Sequence, residues 1–410
     1  MGTYRNYIIQ ISKKEVLCFI YFFACIFGVK IGGFIDLSVI ANVCIIFLFA
    51  LRGIYLFKFN KFLVFDIGLI FMYALLVSAL SGSIEWLFVL KFVRVMICAI
   101  AIPIFIKFSN MDHERIIKIL LYVLLLHAIV VILGAAFWTD LQSYFSPISG
   151  FDRLPYRWRA TGFTNGYDFA GVLCDIGLFV NFNRKNRNHS FLYLIIFTTA
   201  GLLTTRMNMI VLEAEIILLL LTNKRIKRIC RITMTGFLLT SILPVLGIFL
   251  YSTGNTDFGI VRLLLQNSYF KAVTDKIFRV YAYTDIAETA GRHYNFSGLS
   301  DLQMIFGAGK SAGLDPGYTQ YIYQIGILGV GLALIFYLLI ISECLHKFKK
   351  NMTMSIILFA CALCVILSVK NSYLLARHVT EIILILYSSL FAENVPCNNV
   401  VFIDRKASSF

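Results

Sequence analysis

Charge is scarce in this sequence: only 14% of its 410 residues are Asp, Glu, Lys or Arg, while 59% are hydrophobic. A soluble domain carries about 25% charged residues, so the composition excludes an ordinary soluble globular protein. Acidic residues are scarcer still, 22 against 37 basic, for a net charge of +15. Neither of the two long polar segments, near 138–167 and 252–315, holds an acidic cluster of the kind that binds metal, so neither a metal nor a cofactor is expected. Both segments also lack cysteine. The ten cysteines, Cys397 excepted, fall in or beside apolar runs, and Cys361-Ala-Leu-Cys364, despite its redox spacing, reads there as two small hydrophobes. No small-residue cleavage site follows the first apolar run behind Lys13-Lys14, which reads as a retained signal-anchor helix. Low-complexity tracts and short-period repeats are absent.

What the chain does have is long apolar blocks. About twenty apolar residues cross a bilayer, and roughly twelve candidate blocks can be drawn. They lie near 16–35, 38–57, 62–80, 86–106, 116–137, 168–182, 191–205, 208–222, 232–252, 317–342, 353–369 and 378–391. The expected fold is an all-α polytopic membrane protein of about 12 transmembrane helices (10–13), with residues 1–410 forming one integral membrane domain.

The basic residues sort by topology. With the N-terminus inside, the short cytoplasmic connections receive Lys13-Lys14, Lys58 and Lys61, Lys107, Arg184-Lys185, Lys224–Arg231 and Lys347–Lys350, and the C-terminus receives Arg405-Lys406. That is the positive-inside pattern, and it accounts for the charge without a nucleic-acid partner. The two long segments then fall on the non-cytoplasmic side, as loops of about 138–167 and 252–315. In the second, 261–266 and 273–281 read as short helices over the bundle mouth.

Arginine on that side needs a reason, and the first loop holds Arg153, Arg157 and Arg159, followed by Gly162 and Asn165. Block 168–182 is too short to span comfortably, so this segment is expected to dip to the membrane face. A guanidinium stays charged and donates bidentate hydrogen bonds, which suits phosphate or pyrophosphate. The alternative is pairing with Asp152 and Asp168. Leu202-Leu-Thr-Thr205-Arg206-Met-Asn208 places Arg206 at a tight turn, facing the interior or neutralised by Glu213. A third constellation runs from Arg292-His293 through Phe306-Gly-Ala-Gly309 to Asp315-Pro316-Gly-Tyr318. There Gly307 and Gly309 permit a tight turn, and Asp315 fits an N-cap with proline at N1. Gly329-Val-Gly331 suggests close helix packing. Within the membrane, Lys91 and Arg94 share a helical face and pair with Asp66 or Asp175, or else meet a lipid headgroup. His127 reads as an interior polar residue.

Taken in order, Arg159-x-x-Gly162-x-x-Asn165, Leu-Thr-Thr-Arg206, Arg292, Phe306-Gly-Ala-Gly and Asp315-x-x-Tyr318 before Ile-Gly-Ile-Leu-Gly resemble the O-antigen polymerase and ligase superfamily. The resemblance covers about residues 150 to 340. The ligases carry His-Asn where this chain has Asp315-Pro316, which favours the Wzy-type polymerase branch. The resemblance implies a bacterial inner-membrane glycosyltransferase of lipopolysaccharide biosynthesis, with both termini cytoplasmic and the site facing the periplasm. It implies that undecaprenyl-diphosphate-linked glycans bind to Arg159, Arg206 and Arg292, with Asn165, Arg157 and Tyr318 beside them. Asp315 would activate the acceptor hydroxyl, membrane lipid would surround the site, and a Wzz-type chain-length regulator would be a partner. A ligase transferring polymer to lipid A-core, or a flippase for the lipid-linked repeat, is the alternative.

Overall fold

In a computed structural model, the described residues are 12–31, 35–51, 61–82, 85–137, 141, 159–183, 190–205, 208, 211–216, 296, 298–311, 317–347 and 352–394. The chain divides into two compact units, 1–212 with 296–410, and 213–295. The second is described only at residues 213–216, which are helical.

The elements of the first unit are α1 (Lys13–Phe27), a two-residue antiparallel pairing of β1 (Lys30–Ile31) with β2 (Ile35–Asp36), α2 (Leu37–Leu51), α3 (Lys61–Leu80), α4 (Trp86–Ser109) and α5 (His113–Ile132). A π-helical turn, Leu133–Phe137, extends α5. Then come α6 (Tyr167–Phe182), α7 (Ser190–Leu202), α8 (Asp301–Phe306), α9 (Gly317–Lys347), α10 (Met352–Leu367) and α11 (Val379–Asn394). Sequence signals explain several boundaries. Ser12 and Glu15 form a reciprocal capping box at the start of α1, as Ser300 and Gln303 do for α8.

The helices are inside out relative to a soluble bundle. On α3, Phe62, Phe65, Leu69, Met72, Leu76 and Leu80 form an exposed apolar stripe at helical spacing, while Asp66 and Ser78 are buried. On α2, Ile40, Val43, Phe47, Leu48 and Leu51 are exposed and Asn42 is buried. Water would penalise such surfaces, and acyl chains would not. Among the described residues, four stretches are long and apolar enough to cross a membrane: Lys61–Leu80, Trp86–Ser109, His113–Ala135 and Gly317–His346. The chain is thus a helical protein compatible with a membrane. The predicted blocks at 16–35, 38–57, 62–80, 86–106, 116–137, 168–182, 191–205, 317–342, 353–369 and 378–391 each contain a helix. Block 208–222 is described only to Ile216, and 232–252 lies outside the described residues. Of the two predicted loops, 159–166 and 298–311 are described, the latter holding the short helix α8; segments 261–266 and 273–281 lie outside.

Contacts between connections sort the helix ends into two layers. At one end, Arg377 meets Gly28 and Asp36, His378 meets Asn165, Lys370 meets Asp168, the Ala160 N–H bonds Leu203, and the Ser311 N–H bonds Glu85. At the other, Cys18 meets Met111, His113 bridges Ser389 and Thr353, and Asn181 reaches the Ser190 carbonyl. Described connections alternate between the layers, as up-and-down helices require. Lys13, Lys14, Lys107, Arg115 and Lys347 sit at helix termini of the second layer. We call the first layer the paired end and the second the basic end. Helix α11 runs through the middle, buried without interruption from Val379 to Phe391.

α9 is two helices joined at Gly326, whose φ of 67° and ψ of −178° are non-helical. The carbonyls of Tyr323 and Gln324 accept the N–H groups of Ala308 and Gly309, at 2.7 and 3.2 Å. The glycine turn after α8 therefore closes onto the break. Residues 327–347 alone span about 31 Å at 1.5 Å per residue, a full hydrocarbon thickness. The expectation of close helix packing does not hold at Gly331, where a Cβ meets nothing within 4 Å; Gly329 is buried, and the atoms nearest a Cβ on it belong to Ile325 of its own helix. A Cβ on Gly326 would lie 2.3 Å from the Ile305 carbonyl, at a backbone conformation that itself costs about 1–3 kcal/mol for other residues. Gly326→Ala is expected to lower the apparent melting temperature in detergent, and Gly331→Ala to leave it unchanged or raise it. Equal melting temperatures for the two variants would overturn the fixed break.

Candidate functional site

The paired end brings the polar segments together. Segment 159–166 enters the bundle beside α5 as irregular backbone, with residues 160–164 buried. Such backbone is stable among apolar helices only if its polar groups find partners. Here Ala160 N–H donates to Leu203 at 3.1 Å, Thr164 N–H to Thr161 at 3.0 Å, and Phe163 N–H to His127 Nδ1 at 3.3 Å. The other ring nitrogen of His127 faces the Ala170 carbonyl at 3.4 Å. The interior histidine read from the sequence thus ties the segment to α5 and α6. Gly162 makes this possible: at φ 54°, a Cβ would lie 2.6 Å from the His127 ring. The Leu-Thr-Thr motif packs on the opposite side. Thr204, Thr205 and Asn208 are buried, and the Asn208 side-chain amide donates to Asp175 Oδ1 at 3.3 Å.

The third wall is the connection 368–378 between α10 and α11. It is short and largely buried, and each charged group in it crosses to another element. Lys370 Nζ sits 2.9 Å from Asp168 Oδ1, and the Asn371 amide reaches the other oxygen at 3.3 Å. Arg377 pairs with Asp36 and reaches the Gly28 carbonyl at the C-terminus of α1, where a cation is favoured. His378 Nδ1 is 2.6 Å from the Ile26 carbonyl, and its Nε2 is 3.2 Å from Asn165 Oδ1. Two non-glycine residues here have left-handed backbone, Leu375 at φ 51° and His378 at 79°. One turn deeper, Arg94 pairs with Glu381 and donates to the Leu375 carbonyl at 3.2 Å. Lys91 bonds the Tyr321 hydroxyl, which donates to Leu374.

Of the residues singled out from the sequence, Arg159 is half-buried at the start of the re-entrant segment and Asn165 is exposed at its end. Tyr318 donates its hydroxyl to the Val365 carbonyl at 2.7 Å, which gives it an anchoring part in holding α9 to α10. Arg157, Arg206, Arg292 and Asp315 lie outside the described residues. The structure therefore brings the Arg159–Asn165 motif against Leu203-Thr-Thr205 and, through the 368–378 connection, within reach of Tyr318, whose N–H bonds Ser368 at 3.1 Å.

The pairings expected of Lys91 and Arg94 are corrected. Arg94 was expected to meet Asp66 or Asp175 and meets Glu381. Lys91, expected on the same carboxylates, meets the Tyr321 hydroxyl. Lys370, Arg377, His378 and Glu381 were missed, although an intramembrane glutamate and a polar connection between two apolar blocks are both signals. Among the described residues, no group of three His, Cys, Asp or Glu side chains is placed to hold a metal, and the eight described cysteines are free thiols. No protein-family model matches the chain, and no curated protein matches it.

Burial alone would raise the Asp36 carboxyl; Arg377 and the hydrogen bonds of Ser38 outweigh it and hold Asp36 below its ordinary value. Burial, reinforced by Arg377, pushes His378 down to about 3. The unfolded chain binds a proton at His378 near pH 6.5, whereas the folded chain binds it only near pH 3. Stability is therefore present above about pH 6.5 and falls as pH drops toward 3, by up to about 1.4 kcal/mol per pH unit for this one proton. Melting temperatures at pH 7 and pH 4.5 should differ less in His378→Asn than in the unaltered protein. An unchanged difference would show that His378 is charged when folded.

Arg94 and Glu381 are 11% and 1% exposed. Removing one partner of a buried pair costs about 3–5 kcal/mol, while replacing both is far cheaper. Arg94→Met is expected to lower the melting temperature more than Arg94→Met with Glu381→Gln. A double variant that melts below the single one would contradict the pairing.

Proposed function

We propose that the chain is an O-antigen polymerase of the Wzy type, a glycosyltransferase that joins undecaprenyl-diphosphate-linked repeat units at the periplasmic face of the inner membrane. The observation that supports it best is the Ala160–Leu203 hydrogen bond, at 3.1 Å. It joins the backbone next to Arg159 to the Leu-Thr-Thr stretch that leads into Arg206, so two separate arginine motifs of the resemblance meet at one end of the bundle. Basic termini collect at the opposite end, as they do on a cytoplasmic face.

In this reading the acceptor sugar hydroxyl attacks the anomeric carbon of the donor glycan, and the lipid diphosphate departs with the electron pair of the broken bond. Arg159, Arg206 and Arg292 hold that diphosphate and stabilise its charge. Asp315 takes the proton of the attacking hydroxyl. The diphosphate is a good leaving group, so catalysis consists largely of positioning both lipids and meeting the developing charge.

Arg159→Ala or Arg206→Ala should reduce polymer formation by about 10²–10³-fold, the usual cost of one charge-stabilising donor. Protein level and single-repeat capping should be preserved. A normal ladder of long chains from both variants would remove the basis of the reading.

A flippase for the same lipid-linked repeat is a second reading, favoured by the broken helix at Gly326. The break in this chain has two of its freed carbonyls filled by Ala308 and Gly309, whereas transporter breaks leave such groups for the cargo. Purified protein that polymerises lipid-linked repeats without an ion gradient would decide for the polymerase.

A further inference from the structure

The geometry points to His378 as a positioning residue for Asn165: its neutral ring holds the amide NH2 inward and leaves the amide oxygen outward, where it accepts a hydroxyl of the bound glycan. The ligand class rests on the polymerase reading above; the orientation of the amide does not.

The argument is one of donors and acceptors. His378 Nδ1 lies 2.6 Å from the Ile26 carbonyl, one of the last four carbonyls of α1, which the helix itself leaves open. A carbonyl oxygen only accepts, so Nδ1 carries the proton. A second proton on Nε2 would create an imidazolium on a residue 2% exposed, beside the Arg377 guanidinium and one turn from Arg94. Nε2 therefore presents a lone pair, and the atom placed 3.2 Å away is the Asn165 amide oxygen, Oδ1. Two lone pairs repel, so the amide is to be turned end for end, with its nitrogen facing Nε2. The two ends of an asparagine amide are distinguished only by such a network. With its nitrogen turned inward, Asn165 directs its oxygen to the exposed side of the residue.

The ring is held for this task. Phe169 and Phe27 lie with centroids 5.4 and 6.3 Å from it, and its backbone is left-handed at φ 79°. Glycine would relieve that backbone and lose both hydrogen bonds. Asn165 closes the Arg159-x-x-Gly162-x-x-Asn165 motif. An outward amide oxygen there, six residues from the arginine that meets the diphosphate, suits the hydroxyls of the sugar next to that diphosphate. A site built to hydrogen-bond a hydroxyl discriminates strongly against its absence.

The orientation is tested on the full chain in lipid nanodiscs, labelled with 15N-histidine, with His378→Asn identifying the resonance. The expected spectrum at pH 7 is the neutral form protonated at Nδ1 and bare at Nε2; an Nε2–H form or an imidazolium overturns the inference. The role in binding is tested with purified protein polymerising lipid-linked repeats. His378→Asn keeps a donor for Ile26 and loses the contact with Asn165, so the KM for the repeat unit should rise about tenfold, the worth of one hydrogen bond, with kcat little changed. His378→Gln, which again reaches Asn165, should recover most of the loss. Asn165→Ala should match His378→Asn, and the double variant should be no worse than either. Additive losses, or an effect on kcat alone, would make His378 a structural residue only. If the unaltered protein polymerises nothing, the function and the hydroxyl-accepting role fall together, and the spectrum still decides the orientation.

Discussion

A charge placed among apolar helices has no water to turn to, and that constraint organises the paired end of this protein. Its answer is to pair charges across the longest sequence separations available. Arg94 and Glu381 are 287 residues apart, Asp36 and Arg377 are 341, and Asp168 and Lys370 are 202. In each pair one partner belongs to the last connection or the last helix. The chain cannot satisfy its early charges until α11 is threaded through the middle of the bundle. The end that carries the arginine motifs is thus assembled last in sequence terms, and its geometry depends on eleven residues, 368–378, whose polar side chains reach several other elements.

The same constraint governs the backbone. Segment 159–166 and the break at Gly326 both leave helical geometry inside the bundle, and both are stable because other parts of the chain supply their missing partners. Leu203 and His127 serve the first; Ala308 and Gly309 serve the second. Irregular backbone then becomes a rigid scaffold. Asn165 and Arg159 lie at the two ends of a segment pinned in the middle by Gly162 against His127. Rigid placement is what the proposed positioning of a bulky lipid-linked substrate demands.

The helices were legible in the sequence because apolar runs report the solvent that a segment meets, and here nearly every described run contains a helix. Their partners were not. Arg94, Asp66 and Asp175 all read as buried charges at a plausible depth, and depth is all that hydropathy conveys. Which carboxylate faces which guanidinium depends on the order of helices around the bundle, and α4 lies against α11. The glycines misled for a related reason. Gly329-Val-Gly331 reads as a packing motif, yet Gly331 faces open space, whereas Gly326, one glycine among several in an apolar run, carries the break. A positive φ leaves no trace in a sequence beyond glycine itself. The connection 368–378 escaped notice because it is short; its importance lies in how many elements it touches.

Charge balance separates the groups that hold this end together from those left to meet a ligand. Arg94, Lys370 and Arg377 each face a carboxylate, so each pair is locally neutral and offers little to a dianion. Lys91 differs: its ammonium meets the Tyr321 hydroxyl and the Tyr321 ring face, at 4.7 Å from the centroid. A phenol lowers the cost of burying a cation without cancelling its charge. Lys91 thus lies deep between α4 and α9, while Lys30, Arg159 and Lys310 stand nearer the surface of the same end. In the proposed reaction the diphosphate is drawn toward this end of the bundle. The neutral pairs keep the walls in place while the bound charge arrives and leaves.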